Sequence, residues 1–459
     1  MATILITNGE VVSPLGSCRQ DVYIADGRIA AIGLNLSVSA ERTIDATGHY
    51  LLPGGLDVHT HLDMPFMGEV SADDFESGTA AALAGGTTTI IDYVVPGKGQ
   101  SLLEALAVWK EKAERAVADY GFHMAVTWYG EQVAREMAVC VREEGIPSFK
   151  AFLAYKGAIM VNDEELFAML KRSAELNALI MAHCENGEII AELQEKLFAE
   201  GKTHPRYHAL SRPAYAEGES AFRLATLARA IGVPAYFVHM SCAESTRVLV
   251  EARAEGLDIS GETCPQYLLL DDRVYDKPDF QGAAYVMSPP IRPPGHAEAL
   301  WGAIRAGQIE VVGTDHCPFN LKGQKELGRD DFRKIPNGAA GVEERLKLLY
   351  SYGVIPGRIS MPQLVAVTAT NPARIFGLYP QKGIIAVGSD ADLVVWQPEG
   401  KGVISARTHH HRVDTSIFEG FATVGGPRLV IAGGRVQYET GRLDVQPGAG
   451  RFLPRWLGR

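Results

Sequence analysis

The chain has 459 residues, with 44 Lys plus Arg against 55 Asp plus Glu, a formal net charge of −11. With 46% hydrophobic and 22% charged residues, it has the balance of a globular protein whose core can fill one large domain and a smaller partner. The acidic total argues against a nucleic-acid surface, which needs a clustered basic patch, and no run of 18 apolar residues is present to span a membrane. Residues 1–6 carry neither a charged n-region nor a long apolar run, so no signal peptide is expected. Cys18, Cys140, Cys184, Cys242, Cys264 and Cys317 lie far apart with no CxxC pair. Neither a zinc ribbon nor a disulfide scaffold is indicated, and a reduced, cytoplasmic protein is expected.

In chain order, residues 4–32 hold short alternating apolar runs broken by Asn8-Gly9, Pro14 and Asp26-Gly27, which read as hairpins. Eight β-rich runs follow at 52–59, 87–93, 121–127, 148–153, 179–183, 235–240, 259–263 and 309–315. Helix-like stretches at 102–118, 163–177, 188–200, 217–231 and 243–255 lie between them. Eight strands in alternation with helices predict a (β/α)8 barrel rather than an open doubly wound sheet. Beyond Pro380 the hairpin style returns, in Gly388-Ser389-Asp390-Ala391-Asp392-Leu393-Val394-Val395-Trp396 and in 429–438 around Gly433-Gly434. The two ends together predict a small β-sandwich from residues 1–53 plus 380–459, beside an α/β barrel over 54–379.

The chemistry starts at Asp57-Val58-His59-Thr60-His61. Alternate residues of a strand face one side, so His59 and His61 point together where the first barrel strand ends. Lys150 lies in the fourth run, His183 ends the fifth, His239 ends the sixth and Asp315 ends the eighth. Barrel active sites form at the C-terminal ends of strands, so these groups converge there by strand count alone. Imidazoles and a carboxylate suit zinc or another divalent first-row ion. Four histidines, one aspartate and a lysine exceed one ion's needs and fit two ions sharing a bridge. Lys150 sits among apolar neighbours in Ser148-Phe149-Lys150-Ala151-Phe152-Leu153. Burial lowers its pKa, and the neutral amine can take up carbon dioxide as a carbamate, an anionic two-oxygen bridge. His316 follows Asp315 and points the other way, so it stays outside the ligand set. Cys317 lines the pocket without a nucleophilic role. The tract His409-His410-His411 reads as a polar surface run in a loop.

Several ordered segments carry a family resemblance. They include Pro53-Gly54-Gly55-Leu56-Asp57-Val58-His59-Thr60-His61, Gly85-Gly86-Thr87-Thr88-Thr89, Ser148-Phe149-Lys150 and Ala182-His183-Cys184-Glu185-Asn186. Val238-His239-Met240-Ser241, Glu262-Thr263-Cys264-Pro265-Gln266-Tyr267, Met287-Ser288-Pro289-Pro290-Ile291-Arg292, Gly313-Thr314-Asp315-His316-Cys317-Pro318 and Ile335-Pro336-Asn337-Gly338 complete them. Over nearly its whole length the chain resembles the cyclic amidohydrolases of the amidohydrolase superfamily, in the dihydropyrimidinase and D-hydantoinase group. The resemblance implies a binuclear zinc centre, with His59, His61 and Asp315 on one ion, His183 and His239 on the other, and carbamylated Lys150 bridging both. It implies Tyr155, Ser288 and Asn337 as substrate contacts, and usually a homotetramer. The implied reaction opens a cyclic amide or ureide to an N-carbamoyl amino acid. A metal-bridged hydroxide attacks, Asp315 shuttles the proton, and Tyr155 stabilises the oxyanion.

Leu62, Met64, Phe66, Phe152 and Ile159 form an expected apolar collar around the substrate's exocyclic group, with Cys317 beside it. The dihydroorotase pattern has an Arg just after His-x-His, and Leu62-Asp63-Met64-Pro65 has none, which weighs against an acidic ring. Allantoinase is the alternative activity, and a metal-free adaptor relative a remote one, since the full ligand set is present. No GxSxG or GxxxxGK[ST] motif supports a serine hydrolase or nucleotide-binding enzyme.

Overall fold

The computed structural model describes residues 3–458. Met1, Ala2 and Arg459 lie outside the described residues, and with them part of the N-terminal stretch read above. Eight parallel strands form one sheet: β1 (Gly55–Thr60), β2 (Thr87–Val94), β3 (Asp119–Val126), β4 (Ser148–Phe152), β5 (Leu179–His183), β6 (Ala235–Phe237), β7 (Ile259–Thr263) and β8 (Val311–Val312). Each pairs with its sequence neighbour, β1 to β8 in order. The ring closes just past β8, where His316 N donates to His59 O at 3.2 Å and His61 N donates to His316 O at 2.8 Å. The result is a (β/α)8 barrel, with helices α1 (Phe75–Ala84), α2 (Leu102–Ala113), α3 (Glu131–Arg142) and α4 (Asp163–Leu176) after the first four strands. α4 starts where its sequence says it should. Asn162 and Glu165 form a reciprocal capping box, and three acidic residues occupy the first turn.

Period-two alternation sorts the barrel strands into two cores. Ile90, Phe122, Met124, Phe149, Ile180 and Phe237 pack outward with helix residues such as Leu106, Leu166 and Leu224. Ile91, Tyr93, Leu179, Met181, Tyr236 and Val311 share a separate core with Phe376, Leu378 and Leu453. The chain's last stretch, placed with the terminal unit on sequence grounds, runs against the barrel. Tyr120 N donates to Arg451 O and Leu453 N donates to Tyr120 O, at 2.9 and 2.7 Å. Arg455 is wholly buried, and its guanidinium donates to Phe122 O and to Ser148 Oγ.

Among the described residues, nine strands from both termini join in one further sheet, in which Tyr50–Pro53 pairs with Ile4–Ser13 on one side and Leu393–Val403 on the other. Ile6, Val22, Ile24, Leu51, Leu393, Val395 and Ile431 from these strands enclose their own core, as expected for a composite sandwich. Two details differ from the sequence reading. Asn8-Gly9 is no turn: the strand Ile4–Ser13 runs through it with a register shift between Ile6 and Gly9, because the bulge keeps both flanks paired. The run 52–59 is two strands. The chain leaves the terminal sheet at Pro53 and enters the barrel at Gly55, and a Cβ at Gly54 would come within 2.1 Å of Thr88 Oγ1. No helix of the described residues is long and apolar enough to cross a membrane.

Candidate metal centre and active site

The C-terminal ends of five barrel strands bring six side chains together. His59 lies in β1 with His61 just past it, Lys150 lies in β4 and His183 ends β5. His239 and Asp315 follow β6 and β8. Asp315 Oδ1 is 3.2 Å from both His59 Nε2 and His61 Nε2. Lys150 Nζ is 2.9 Å from His59 Nε2, and His183 Nδ1 is 3.0 Å from His239 Nε2. Tyr155, His239 and Asp315 take φ values of 65°, 38° and 53°, the left-handed region that costs a non-glycine residue roughly 1–2 kcal/mol. Strain of this kind persists where surrounding structure must aim a side chain.

Burial sets the charge state. It lowers the pKa of His59, His61, His183 and His239, so each ring is held neutral. It also pushes the Lys150 ammonium down to about 8. Burial alone would raise the Asp315 carboxyl, but the His59 and His61 rings hold it well below the usual range. Neutral imidazoles around an ionised carboxylate are the donor set of a divalent first-row ion. His59, His239 and Asp315 offer ligand atoms within 4.8 Å of one another. The residues present fit such an ion.

Two carboxylates not singled out from the sequence fix the ring orientations. Glu262 Oε1 meets His59 Nδ1 and accepts from His239 N at 3.2 Å, while its Oε2 accepts from the Tyr236 hydroxyl at 2.9 Å. Glu185 Oε2 lies 2.7 Å from His183 Nε2 and 2.6 Å from Arg212 Nη1. With their outer nitrogens so engaged, His59 presents Nε2 and His183 presents Nδ1 to the cluster. Glu262 stands on β7, which supplies no residue to the expected ligand set. An acidic side chain inside a barrel-strand run was the available signal.

A cavity of about 50 Å³ touches His61, Lys150, His183, His239 and Asp315. Met64, Phe66, Phe152, Tyr155, Ile159, Ser288, Cys317 and Asn337 also line it. Phe66, Tyr155, Ile159 and Asn337 stand at its boundary with an outer vestibule of about 570 Å³, walled further by Trp109 and Val108. Asn337 Nδ2 donates to Ser288 Oγ at 3.0 Å, and Asn337 Oδ1 is buried without a hydrogen-bond partner. The next residue must be glycine: Gly338 has φ 143°, and a Cβ there would come within 2.2 Å of Cys317 O. Burial raises the Tyr155 phenol and pushes the Cys317 thiol well above its ordinary value, so both stay protonated.

Two expectations need correction. Leu62 is not part of the collar. The chain turns after His61, Leu62 N donates to Asp92 Oδ2 at 2.9 Å, and the side chain is buried against Gly78 of α1. The tract at 409–411 is not a surface run either. His411 is buried between Asp73 and Glu344, and His410 bonds Glu343. His316 does point away from the cluster, its Nε2 lying 3.2 Å from Asp73 Oδ2.

Residues 50–436 match the model of the amidohydrolase family. The chain is 48% identical over 454 residues to a D-hydantoinase of Geobacillus stearothermophilus, covering 99% of this chain and 96% of that protein. It is 46% identical over 452 residues to a dihydropyrimidinase of Arabidopsis thaliana, covering 98% and 85%. The crystal structure of dihydropyrimidinase from Brevibacillus agri NCHU1002 superposes with a TM-score of 0.98 at 47% identity, covering 99% of each chain. The chain belongs to the amidohydrolase family, in its D-hydantoinase and dihydropyrimidinase group.

Proposed function

We propose that this protein is a metal-dependent hydrolase that opens the cyclic amide bond of dihydropyrimidines or 5-substituted hydantoins, yielding N-carbamoyl amino acids. One observation carries the reading: three neutral imidazoles, one carboxylate and one lysine converge on a small cavity that widens into an apolar vestibule, with a fourth imidazole, His59, against the carboxylate. His59, His61 and Asp315 would hold one ion, His183 and His239 the other, and carbamylated Lys150 would bridge them. The pKa of Lys150 near 8 leaves a neutral amine fraction for carbamylation. Zinc suits the donors.

When bound, the ions supply Lewis acidity and a water of lowered pKa. The chain's own groups do the rest. Asn337 Oδ1 accepts from a ring N–H, and Ser288 Oγ, held by Asn337, completes the ring contact. The Tyr155 hydroxyl donates to the carbonyl oxygen as charge develops on it. Asp315 takes the proton of the attacking water at its carboxylate and gives it to the leaving ring nitrogen. Phe66, Phe152 and Ile159 exclude water and receive the exocyclic group, with Met64 and Cys317 filling the wall. D-selectivity follows the likeness to the Geobacillus D-hydantoinase. A homotetramer in the cytoplasm, with no nucleic-acid or membrane partner, completes the reading, as does a division into residues 1–53 plus 380–459 and 54–379.

The test is a ring-opening panel on zinc-loaded protein with 5,6-dihydrouracil, D- and L-5-phenylhydantoin, allantoin and dihydroorotate. Rapid opening of dihydrouracil or of one hydantoin enantiomer, with little action on dihydroorotate, supports the proposal. Turnover of allantoin alone refutes it in favour of an allantoinase.

A further inference from the structure

A second group of ligand-type side chains lies apart from the cluster at the barrel mouth. His409 and His411 belong to the segment between the strands Leu393–Val403 and Ala422–Ala432, and Glu344 immediately precedes the helix Arg345–Leu349. Ligand atoms of Glu344, His409 and His411 fall within 4.8 Å of one another. Glu344 is 4% exposed and His411 7%.

The hydrogen bonds around this group show where its lone pairs point. His409 Nε2 donates to Val413 O at 3.0 Å. Its Nδ1 therefore carries the lone pair, and that atom is buried with no partner. His411 Nδ1 lies 3.4 Å from Asp73 Oδ2, and its Nε2 lies 3.2 Å from Glu344 Oε2. Asp73 is an acceptor hub: its Oδ1 also receives Ser77 Oγ and Arg412 N, at 2.8 and 2.9 Å. His411 Nδ1 and Asp73 Oδ2 are both buried without a hydrogen-bond partner, whereas His411 Nε2 is hydrogen-bonded to the Glu344 carboxylate. The Glu344 carboxylate, His411 Nε2 and the unpartnered His409 Nδ1 are therefore clustered with one another. A proton on His411 Nε2 satisfies Glu344 but leaves His409 Nδ1 without a donor. A divalent ion satisfies all three.

We propose that Glu344, His409 and His411 form a further metal site, with two imidazoles and one carboxylate as ligands, for zinc or a similar first-row divalent ion. The 3.2 Å separation of His411 Nε2 and Glu344 Oε2 matches the edge of about 3.3 Å between two ligands of a tetrahedral ion with bonds of about 2.0–2.1 Å. Val413 O acts as the outer partner that holds the His409 ring in its ligating tautomer, and Asp73 Oδ2 lies 3.4 Å from His411 Nδ1. A cavity of about 220 Å³ lined by Glu344 and His409 leaves room for a water as fourth ligand. The neighbouring trio Asp73, His316 and His411 does not make an equivalent site. Gly341 N donates to His316 Nδ1 at 3.1 Å, so the His316 Nε2 near Asp73 carries a proton and has no lone pair to offer. The ion would fasten the 404–421 segment to the barrel side of Glu344, a cross-link between residues 65 or more positions apart in sequence.

The experiment counts zinc per chain in the dialysed holoenzyme and in a His409→Ala variant, and maps anomalous scattering at the zinc edge in wild-type crystals. The expected result is one ion fewer per chain in His409→Ala, with ring-opening activity retained. A wild-type anomalous peak should lie within bonding distance of His409 Nδ1, His411 Nε2 and Glu344. Equal zinc content in the two folded proteins, or a map without that peak, overturns the proposal. If His409→Ala fails to fold, the wild-type map decides alone. Metal at His59 and His239 is located separately in the same map, so failure here leaves the proposed activity untouched.

Discussion

Glu262 offers the sharpest test of how the site is held. Replacing it with Gln keeps the shape and removes the charge. The amide oxygen can still accept from His59 Nδ1–H and from His239 N, while the amide nitrogen donates to the Tyr236 oxygen. The loss is then the difference between a charge-assisted and a neutral hydrogen bond, about 1–1.5 kcal/mol. That is about 10-fold in metal affinity, the lower end of what removal of an outer carboxylate partner does. Glu262→Leu strands the His59 N–H as well, adding about 1–3 kcal/mol, so its loss should approach or exceed 100-fold. Competition against a chromogenic chelator reads both values directly. Because Glu262 touches His59 and the backbone of His239, both proposed ions should weaken. The pH dependence gives an independent readout. Burial pushes the Glu262 carboxyl up to about 8, so the metal-free protein holds a proton there at neutral pH. A cation beside it expels that proton, so wild-type affinity climbs with pH up to about 8 and then loses this component of its slope. Glu262→Gln should lack that component throughout. Metal affinity within twofold of wild type in Glu262→Gln, with an unchanged pH slope, would refute the reasoning.

Three further outcomes follow from the geometry. Tyr155→Phe should keep its metal content and lose about 10²–10³ in kcat, the cost of removing one oxyanion donor; metal analysis and steady-state rates on one preparation check it. Leu62→Ala should cost about 2–5 kcal/mol in urea unfolding with KM unchanged, because the side chain is buried against α1 and away from the cavity. A shift in KM for an aryl hydantoin without loss of stability would return Leu62 to the collar. Lys382→Met should cost about 3–5 kcal/mol, since Lys382 Nζ is 2.6 Å from Asp119 and Asp392 and 3.1 Å from Asp390. Lys382 and Arg451 hold the Asp119 and Asp390 carboxyls below their ordinary values. In wild type their contribution is present above about pH 4 and disappears as pH falls through the depressed values. In Lys382→Met this acid-side loss should shrink, as equilibrium unfolding at pH 7 and at about pH 2 would show.

What the sequence revealed depended on how local each signal was. The strand–helix alternation and the His59-x-His61 pair are short-range patterns, and barrel geometry carries them to a common rim. The sequence places Leu62 with its loop rather than its strand, yet one residue after His61 its side chain takes the opposite face and packs under α1 instead of around the cavity. The run 52–59 hid a change of sheet at Gly54, where both neighbours are extended and only a close approach to Thr88 separates the two strands. Glu262 meets His59 across 203 positions. Glu185 lies two residues from His183, but what makes it a positioning group is Arg212 on its far side.

The histidines make the same point in two directions. His59 and His411 are both buried, and both occur in a His-x-His pattern. Burial makes each ring costly to charge, so the partners decide the outcome. Around His59, desolvation is reinforced by Lys150, His61 and His183 against the opposing charge of Asp315, and the ring is driven neutral. Around His411, desolvation acts in the same direction, but Glu344 and Asp73 override it, and the ring is held protonated well above its ordinary range in the absence of a metal ion. A proton and a divalent ion thus compete for one electron-rich position between His411 and Glu344. Raising the pH favours the ion, because the proton is removed without altering Glu344, whose carboxyl His411 holds down near 2 despite its burial. Zinc at this position should accordingly be retained at pH 8 and released on dialysis at mildly acidic pH, while the unpartnered Nδ1 of His409 gives the ion an attachment that the proton lacks.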